Sequence, residues 1–214
     1  MKKLIYLMMC LVMSLASSAC NTDNDEPQME QPGESETTPD DIDLGKTLIV
    51  YYSYTNNVHT IVNNLQSKIE ADVVRVEPAE KGLDYAANNY AIGSALIAAI
   101  RNNPNDANSY PAIDPVNVDL SQYSTIIVGT PLWWSNMAAP MQTFLFQHGA
   151  EMAGKNVGLI VSSGSSGISG VEADAKRLIP DGKFLTPSLW IRSSQTNNSS
   201  SLINNWLNTI RDKQ

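Results

Sequence analysis

Three short stretches carry the groups that could do chemistry. Ser53, Tyr54, Thr55, Asn56, Asn57 and Val58 follow the apolar run Thr47–Tyr52 and lead into Val58, Ile61, Val62 and Leu65, which recur at helical spacing. Hydroxyls and amides at a helix start, where backbone N–H groups lack partners, form a cradle for an anion. Either Asn56 or Asn57 can cap that helix. The second stretch, Gly129-Thr130-Pro131-Leu132-Trp133-Trp134-Ser135, offers two large π surfaces, and the third, Ser162-Ser163-Gly164-Ser165-Ser166-Gly167, offers a polar, glycine-rich edge. An anion cradle, aromatic walls and a polar edge together fit a flat aromatic ligand that bears a phosphate.

Other chemistries find less support. Gly164-Ser165-Ser166-Gly167 does not spell the Gly-x-Ser-x-Gly elbow of a serine hydrolase, and no His-Asp pair is placed by motif to activate a serine. His59 and His148 stand outside any metal-ligand spacing or acidic cluster, which assigns them to solvated or core positions and predicts no metal site. Of Trp133 and Trp134, neighbours on an extended chain face opposite ways, so one ring is expected to pack inward and the other to meet the ligand. Tyr85 and Tyr90 fit ligand contact and core packing equally.

The elements that must position these residues alternate. Thr47–Tyr52 is predicted as a strand buried on both faces, and Asp72–Val76, Thr125–Val128 and Val157–Val161 as further strands. Phe184–Ile191 is a fifth, broken at Pro187. Between them the pattern predicts helices over Asp84–Arg101, with Tyr85, Asn89, Ile92 and Leu96 near one face, then over Pro140–Phe146, Glu172–Leu178 and Asn198–Ile210. Strands alternating with helices imply an α/β fold, a parallel sheet covered on both faces, with ligands at the carboxyl ends of the strands. All three stretches sit at such ends.

Residues 1–19 have Lys2 and Lys3, then an apolar segment and small residues, which is the pattern of a secretory signal. Leu15-Ala16-Ser17-Ser18-Ala19-Cys20 resembles a bacterial lipobox, implying a lipidated Cys20 in the cell envelope; Ser17 departs from it. An ordinary cleaved signal would leave Cys20 free. Cys10 falls in the discarded segment, so no intramolecular disulfide is expected. Residues 21–43 hold nine acids and no Lys or Arg, with scattered Pro and no apolar period, and 20–45 are expected to form a disordered tether. Residues 46–214 are near neutral, with 13 acids and 12 Lys or Arg, long enough for one domain and without a basic nucleic-acid footprint.

From about Lys46 to Ile210 the chain resembles the flavodoxins, specifically the flavodoxin-like lipoproteins and secreted proteins of bacteria, through YYSYTNN, GTPLWWSNMAAPMQTFL and SSGSSG, each after a strand and in order. The resemblance implies a three-layer, doubly wound five-stranded sheet in the order 2-1-3-4-5, with FMN held non-covalently. It places Ser53, Tyr54, Thr55, Asn56, Asn57 and Val58 around the phosphate, Thr130, Pro131, Leu132, Trp133 and Trp134 beside the isoalloxazine ring, and Ser163, Gly164, Ser165 and Gly167 along its other edge. The family pattern has Gly at Asn56 and Thr at Val58. Asn accepts left-handed backbone, but Val58 removes a hydroxyl whose bond to a charged acceptor is worth roughly 1.5 to 3 kcal/mol. Two readings follow: an FMN protein exchanging electrons with a redox partner or a small acceptor, and a membrane-anchored interaction module that keeps the fold without the cofactor.

Overall fold

A computed structural model describes residues 44–211. The signal, Cys20 and the tether up to residue 43 lie outside the described residues. Leu44 is 4% exposed within a core cluster, and its carbonyl accepts from the Thr125 hydroxyl.

Strand β1 (Thr47–Tyr51) is buried along its whole length and pairs in parallel with β2 (Asp72–Arg75) and β3 (Thr125–Trp133). Strand β5 (Asn156–Ser163) adds to β3, and β6 (Lys183–Phe184) and β7 (Leu189–Arg192) add to β5. The path is β2-β1-β3-β5-β6, which is the order 2-1-3-4-5 once the short β4 (Asn136–Met137), paired only with β3, is set aside. β6 and β7 form one broken outer strand, interrupted where Thr186-Pro187 is cis. The parallel sheet carries helices on both faces.

Strand alternation divides the core. Leu48, Val50, Ile126, Val128, Val157, Leu159 and Val161 point to one face, against Met141, Phe144 and Leu145 of α3 (Ala139–His148) and Val171 and Ala175 of α4 (Ser169–Leu178). Ile49, Tyr51, Ile127 and Ile160 point to the other, against Val58, Ile61, Val62 and Leu65 of α1 (Asn57–Gln66) and Ile203, Trp206, Leu207 and Ile210 of α5 (Ser199–Arg211). Burial on both faces is why the strands read as continuous apolar runs.

Two departures from the sequence reading fall beside the predicted ligand loops. The strand expected to end at Val128 runs on to Trp133, because β5 extends equally far and the pairing continues to Pro131 opposite Ser162. The chain then reverses through Trp134 (φ 46) and Ser135 (φ 65) into β4, so the tryptophans occupy a β-hairpin instead of a loop. The second departure is α2 (Ala87–Asn102). Its regular part starts later than Asp84, since Asn88, Asn89 and Tyr90 are left-handed (φ 49, 56 and 62), and it buries Gly93, Ile97 and Ile100, with Leu96 of the expected face packed beside them. Asn accepts that backbone; Tyr90 does so at a cost of about 1–2 kcal/mol.

Candidate functional site

The carboxyl ends of β1, β3, β5 and β7 open into one cleft of ≈ 850 Å³. Of the sequence-predicted residues, the cleft wall takes Ser53, Tyr54, Thr55, Asn57 and Val58 from the first stretch, Pro131, Leu132, Trp133 and Trp134 from the second, and Ser163 and Gly164 from the third. The volume lies within the roughly 300–1,000 Å³ typical of small-molecule sites. Four predicted residues stand off the wall. Asn56 shapes the turn from behind, Thr130 is fully buried and accepts from the Ala138 N–H, and Ser165 and Gly167 are exposed beyond the rim.

The first stretch is organised by Ser53. Asn56 holds the N-cap position of α1 with φ 61, as the absent glycine would, but its side chain caps nothing, and the Asn57 amide donates instead to the Thr55 hydroxyl. The capping oxygen is Ser53 Oγ, which accepts the His59 N–H at 3.2 Å, so the expectation of an asparagine cap is corrected. Ser53→Ala should therefore lower stability by about 1 kcal/mol, the usual cost of a lost cap, and hasten amide exchange at His59; unchanged exchange there would show that the bond does not hold the turn. The N–H groups of Thr55, Asn56, Asn57 and Val58 have no partner among the described residues and lie at the positive end of the α1 dipole, where Thr55, Asn57 and Val58 line the cleft. Val58 is 1% exposed and belongs to the core as much as to the wall.

Aromatic rings form the opposite wall. Trp133 is half-buried, with its ring centroid 4.9 Å from Tyr85, 5.8 Å from Tyr52 and 6.4 Å from Tyr54. Trp134, at the hairpin turn, is 39% exposed and meets Tyr90 edge-on at 6.3 Å. Tyr85 is buried while Tyr90 is 51% exposed, and both line the cleft. Gly93 lets α2 approach: a Cβ there would lie 3.0 Å from the Trp134 ring.

The third edge is pinned by Trp190, whose indole N–H donates to Ser163 Oγ at 2.8 Å, while Ser163 Oγ donates to the Ser166 carbonyl at 2.9 Å. Ser162, the first residue of the third stretch, also lines the cleft, as do Ala86, Gly93 and Ser193, which were not singled out from sequence. Ser193 follows β7 directly, so the rule that ligands sit at strand carboxyl ends points to it. Nothing local marks Ala86 or Gly93.

Titratable groups at the site are set for binding. Burial pushes the Tyr52 and Tyr85 phenols up, and the bond to Asp84 raises Tyr54 while the same bond holds the Asp84 carboxyl down. These phenols therefore stay protonated near neutrality. His59 lies between the Tyr51 hydroxyl (2.6 Å) and the Asn63 amide (3.2 Å), and His148 beside Glu151, so neither activates a serine. Among the described residues no cluster of His, Cys, Asp and Glu could hold a metal ion.

Comparison with known proteins agrees with this architecture. Residues 46–210 match the sequence profile of the family described as flavodoxin. A protein of Bacteroides eggerthii DSM 20697 assigned as a flavoprotein has a similar structure, with a TM-score of 0.62 at 24% identity over 77% of this chain and 97% of that one. One from Bacteroides uniformis ATCC 8492, likewise assigned, gives 0.58 at 24% identity over 75% and 98%. A flavoprotein of Lactobacillus acidophilus NCFM, solved in complex with FMN, gives 0.57 at 22% identity over 73% and 98%.

Proposed function

Because the chain belongs to the flavodoxin family, we propose that its cleft binds FMN and that the protein is an electron carrier or flavin-dependent oxidoreductase of the cell envelope. The observation that carries this reading is the meeting, in one ≈ 850 Å³ cleft, of a helix start with free N–H groups and a wall of aromatic rings. FMN has the two matching parts, a phosphate and a planar ring. The Lactobacillus acidophilus relative solved with FMN supports the choice of ligand.

The residues present fit this group. The backbone of Thr55 to Val58 and the Thr55 hydroxyl would take the phosphate, Trp133, Trp134 and Tyr90 would wall the ring, and Ser163 and Gly164 would border its far edge. Among the described residues no Lys or Arg lines the cleft, so the dianion would be held by N–H dipoles and hydroxyls. When bound, FMN supplies one- and two-electron redox chemistry. The chain contributes binding, exclusion of water by the aromatic wall, and neutral phenols that add no charge beside the ring.

The test is a flavin titration of Val58→Thr. The added hydroxyl should raise the preference for FMN over riboflavin by about tenfold, the equivalent of one further bond to a charged acceptor, while lowering stability slightly because the site is packed. An unchanged preference would remove the phosphate from this turn.

The envelope location rests on residues 1–20. Lipid on Cys20 would hold the mature protein at the membrane, with residues 20–43 as its spacer; no helix among the described residues is long and apolar enough to cross a membrane. Cys20→Ala should move the protein from the membrane fraction to the soluble fraction, and unchanged fractionation would refute the anchor.

A further inference from the structure

The hairpin that carries Trp133 and Trp134 has an unfavourable turn. Its two central residues, Trp134 and Ser135, both have positive φ, the geometry of a two-residue turn that normally calls for Asn-Gly. Non-glycine residues are strained in that backbone, so the turn must be held by contacts outside it.

Two anchors supply those contacts, one from each neighbouring helix. From α2, Arg101 donates through Nη2 to the Trp134 carbonyl at 2.6 Å and through Nε to Asn136 Oδ1 at 2.8 Å. From α4, Asp174 Oδ2 accepts the Asn136 side-chain amide and the Met137 backbone N–H, both at 2.9 Å. Asp174 is 7% exposed and lies outside the cleft wall. Its Oδ1 accepts Arg177 Nη2 at 3.2 Å, and Arg177 in turn donates to Gln142 Oε1 (2.8 Å) and to the Tyr110 hydroxyl (3.0 Å). Asn136 joins the two anchors, accepting from Arg101 and donating to Asp174. A carboxylate can take two donors on one oxygen and a guanidinium on the other, which suits this position.

We infer that Asp174 is a positioning residue: with Arg101, it fixes the β3–β4 hairpin so that Trp133 and Trp134 form the cleft wall. The effect on flavin rests on the proposed FMN binding, whereas the effect on the tryptophans does not. Loss of the carboxylate strands the Met137 N–H in a buried place and frees the hairpin to leave its positive-φ turn. The ring-binding half of the cleft is then disturbed while the phosphate turn, on α1, is untouched.

Asp174→Ala, Asp174→Asn and Arg101→Gln are to be compared with wild type by near-ultraviolet circular dichroism of the flavin-free protein and by titration with FMN and riboflavin. Asp174→Ala should diminish the tryptophan signal and weaken both flavins by about tenfold, leaving their ratio unchanged. Asp174→Asn keeps an acceptor oxygen in place and should restore both readouts to within about threefold. Arg101→Gln should move them in the same direction as Asp174→Ala by a smaller amount. A tryptophan signal unchanged in both Asp174→Ala and Arg101→Gln would overturn the inference, as would a loss confined to FMN. Should Asp174→Ala fail to fold, wild-type signals in Arg101→Gln would overturn it alone. If wild type binds neither flavin, the proposed function fails, and the dichroism of the flavin-free proteins still decides the role of Asp174.

Discussion

Trp133→Ala should destabilise the domain by about 3 kcal/mol, the low end for a buried aromatic cut to alanine, and abolish measurable flavin binding. The ring touches Tyr85, Tyr52 and Tyr54 as well as Trp134, so its removal empties the middle of the aromatic wall and leaves a cavity among the remaining rings. Trp134→Ala should behave differently. This ring is 39% exposed and packs on Gly93 and Tyr90, so the fold should persist, flavin affinity should fall roughly two- to twelvefold, and quenched flavin emission should return. Thermal melts and fluorescence titrations of the two variants separate the roles. Equal loss of stability in both, with affinity kept, would make the pair structural only.

Gly170→Ala is the second large effect. Gly170 is the second residue of α4, where alanine would ordinarily stabilise a helix by roughly 0.5–1 kcal/mol. Here a Cβ would lie 1.9 Å from the Ser135 carbonyl oxygen and 3.0 Å from its carbon, and both are backbone atoms that no rotamer change can move. The hairpin turn or the helix start must shift. The net result should be a loss of about 1–3 kcal/mol, as for other overpacked sites, together with weaker binding of both FMN and riboflavin. A variant more stable than wild type in chemical denaturation would contradict the close approach of the two elements.

The sheet was legible because its signals are local. Leu48 to Tyr51, Ile126 to Val128 and Val157 to Val161 are short, β-branched-rich apolar runs of the kind a strand buried on both faces shows, and Ile203, Trp206, Leu207 and Ile210 keep one helical face. That the three strand-end stretches meet at one cleft was legible for the same reason: strand ends can be counted along the chain. The cap of α1 was misread because Ser53 reaches His59 from outside the helix, whereas capping patterns look at the adjacent residue. The hairpin was missed because Trp134 and Ser135 lack the Asn-Gly signature; their conformation is imposed by Arg101 and Asp174, which lie far away in sequence. Likewise Ala-rich composition predicted a regular start to α2, while Asn88 to Tyr90 take a left-handed turn that brings Tyr90 onto Trp134. Contacts beyond the reach of local patterns, from six residues away at the α1 cap to about forty at the hairpin, bear on these cases.

The coupling of a phosphate cradle on α1 to an aromatic ring site on the β3–β4 hairpin is tested most directly by titrating the flavin-free domain with FMN and with riboflavin at equal ionic strength. The two ligands share the ring and differ in the phosphate. Both should bind with quenching of emission, and FMN should bind more tightly by about tenfold or more, since each bond to the charged phosphate is worth roughly 1.5 to 3 kcal/mol. Equal affinities would contradict the cradle, and binding of neither ligand would contradict the assignment of the cleft to FMN.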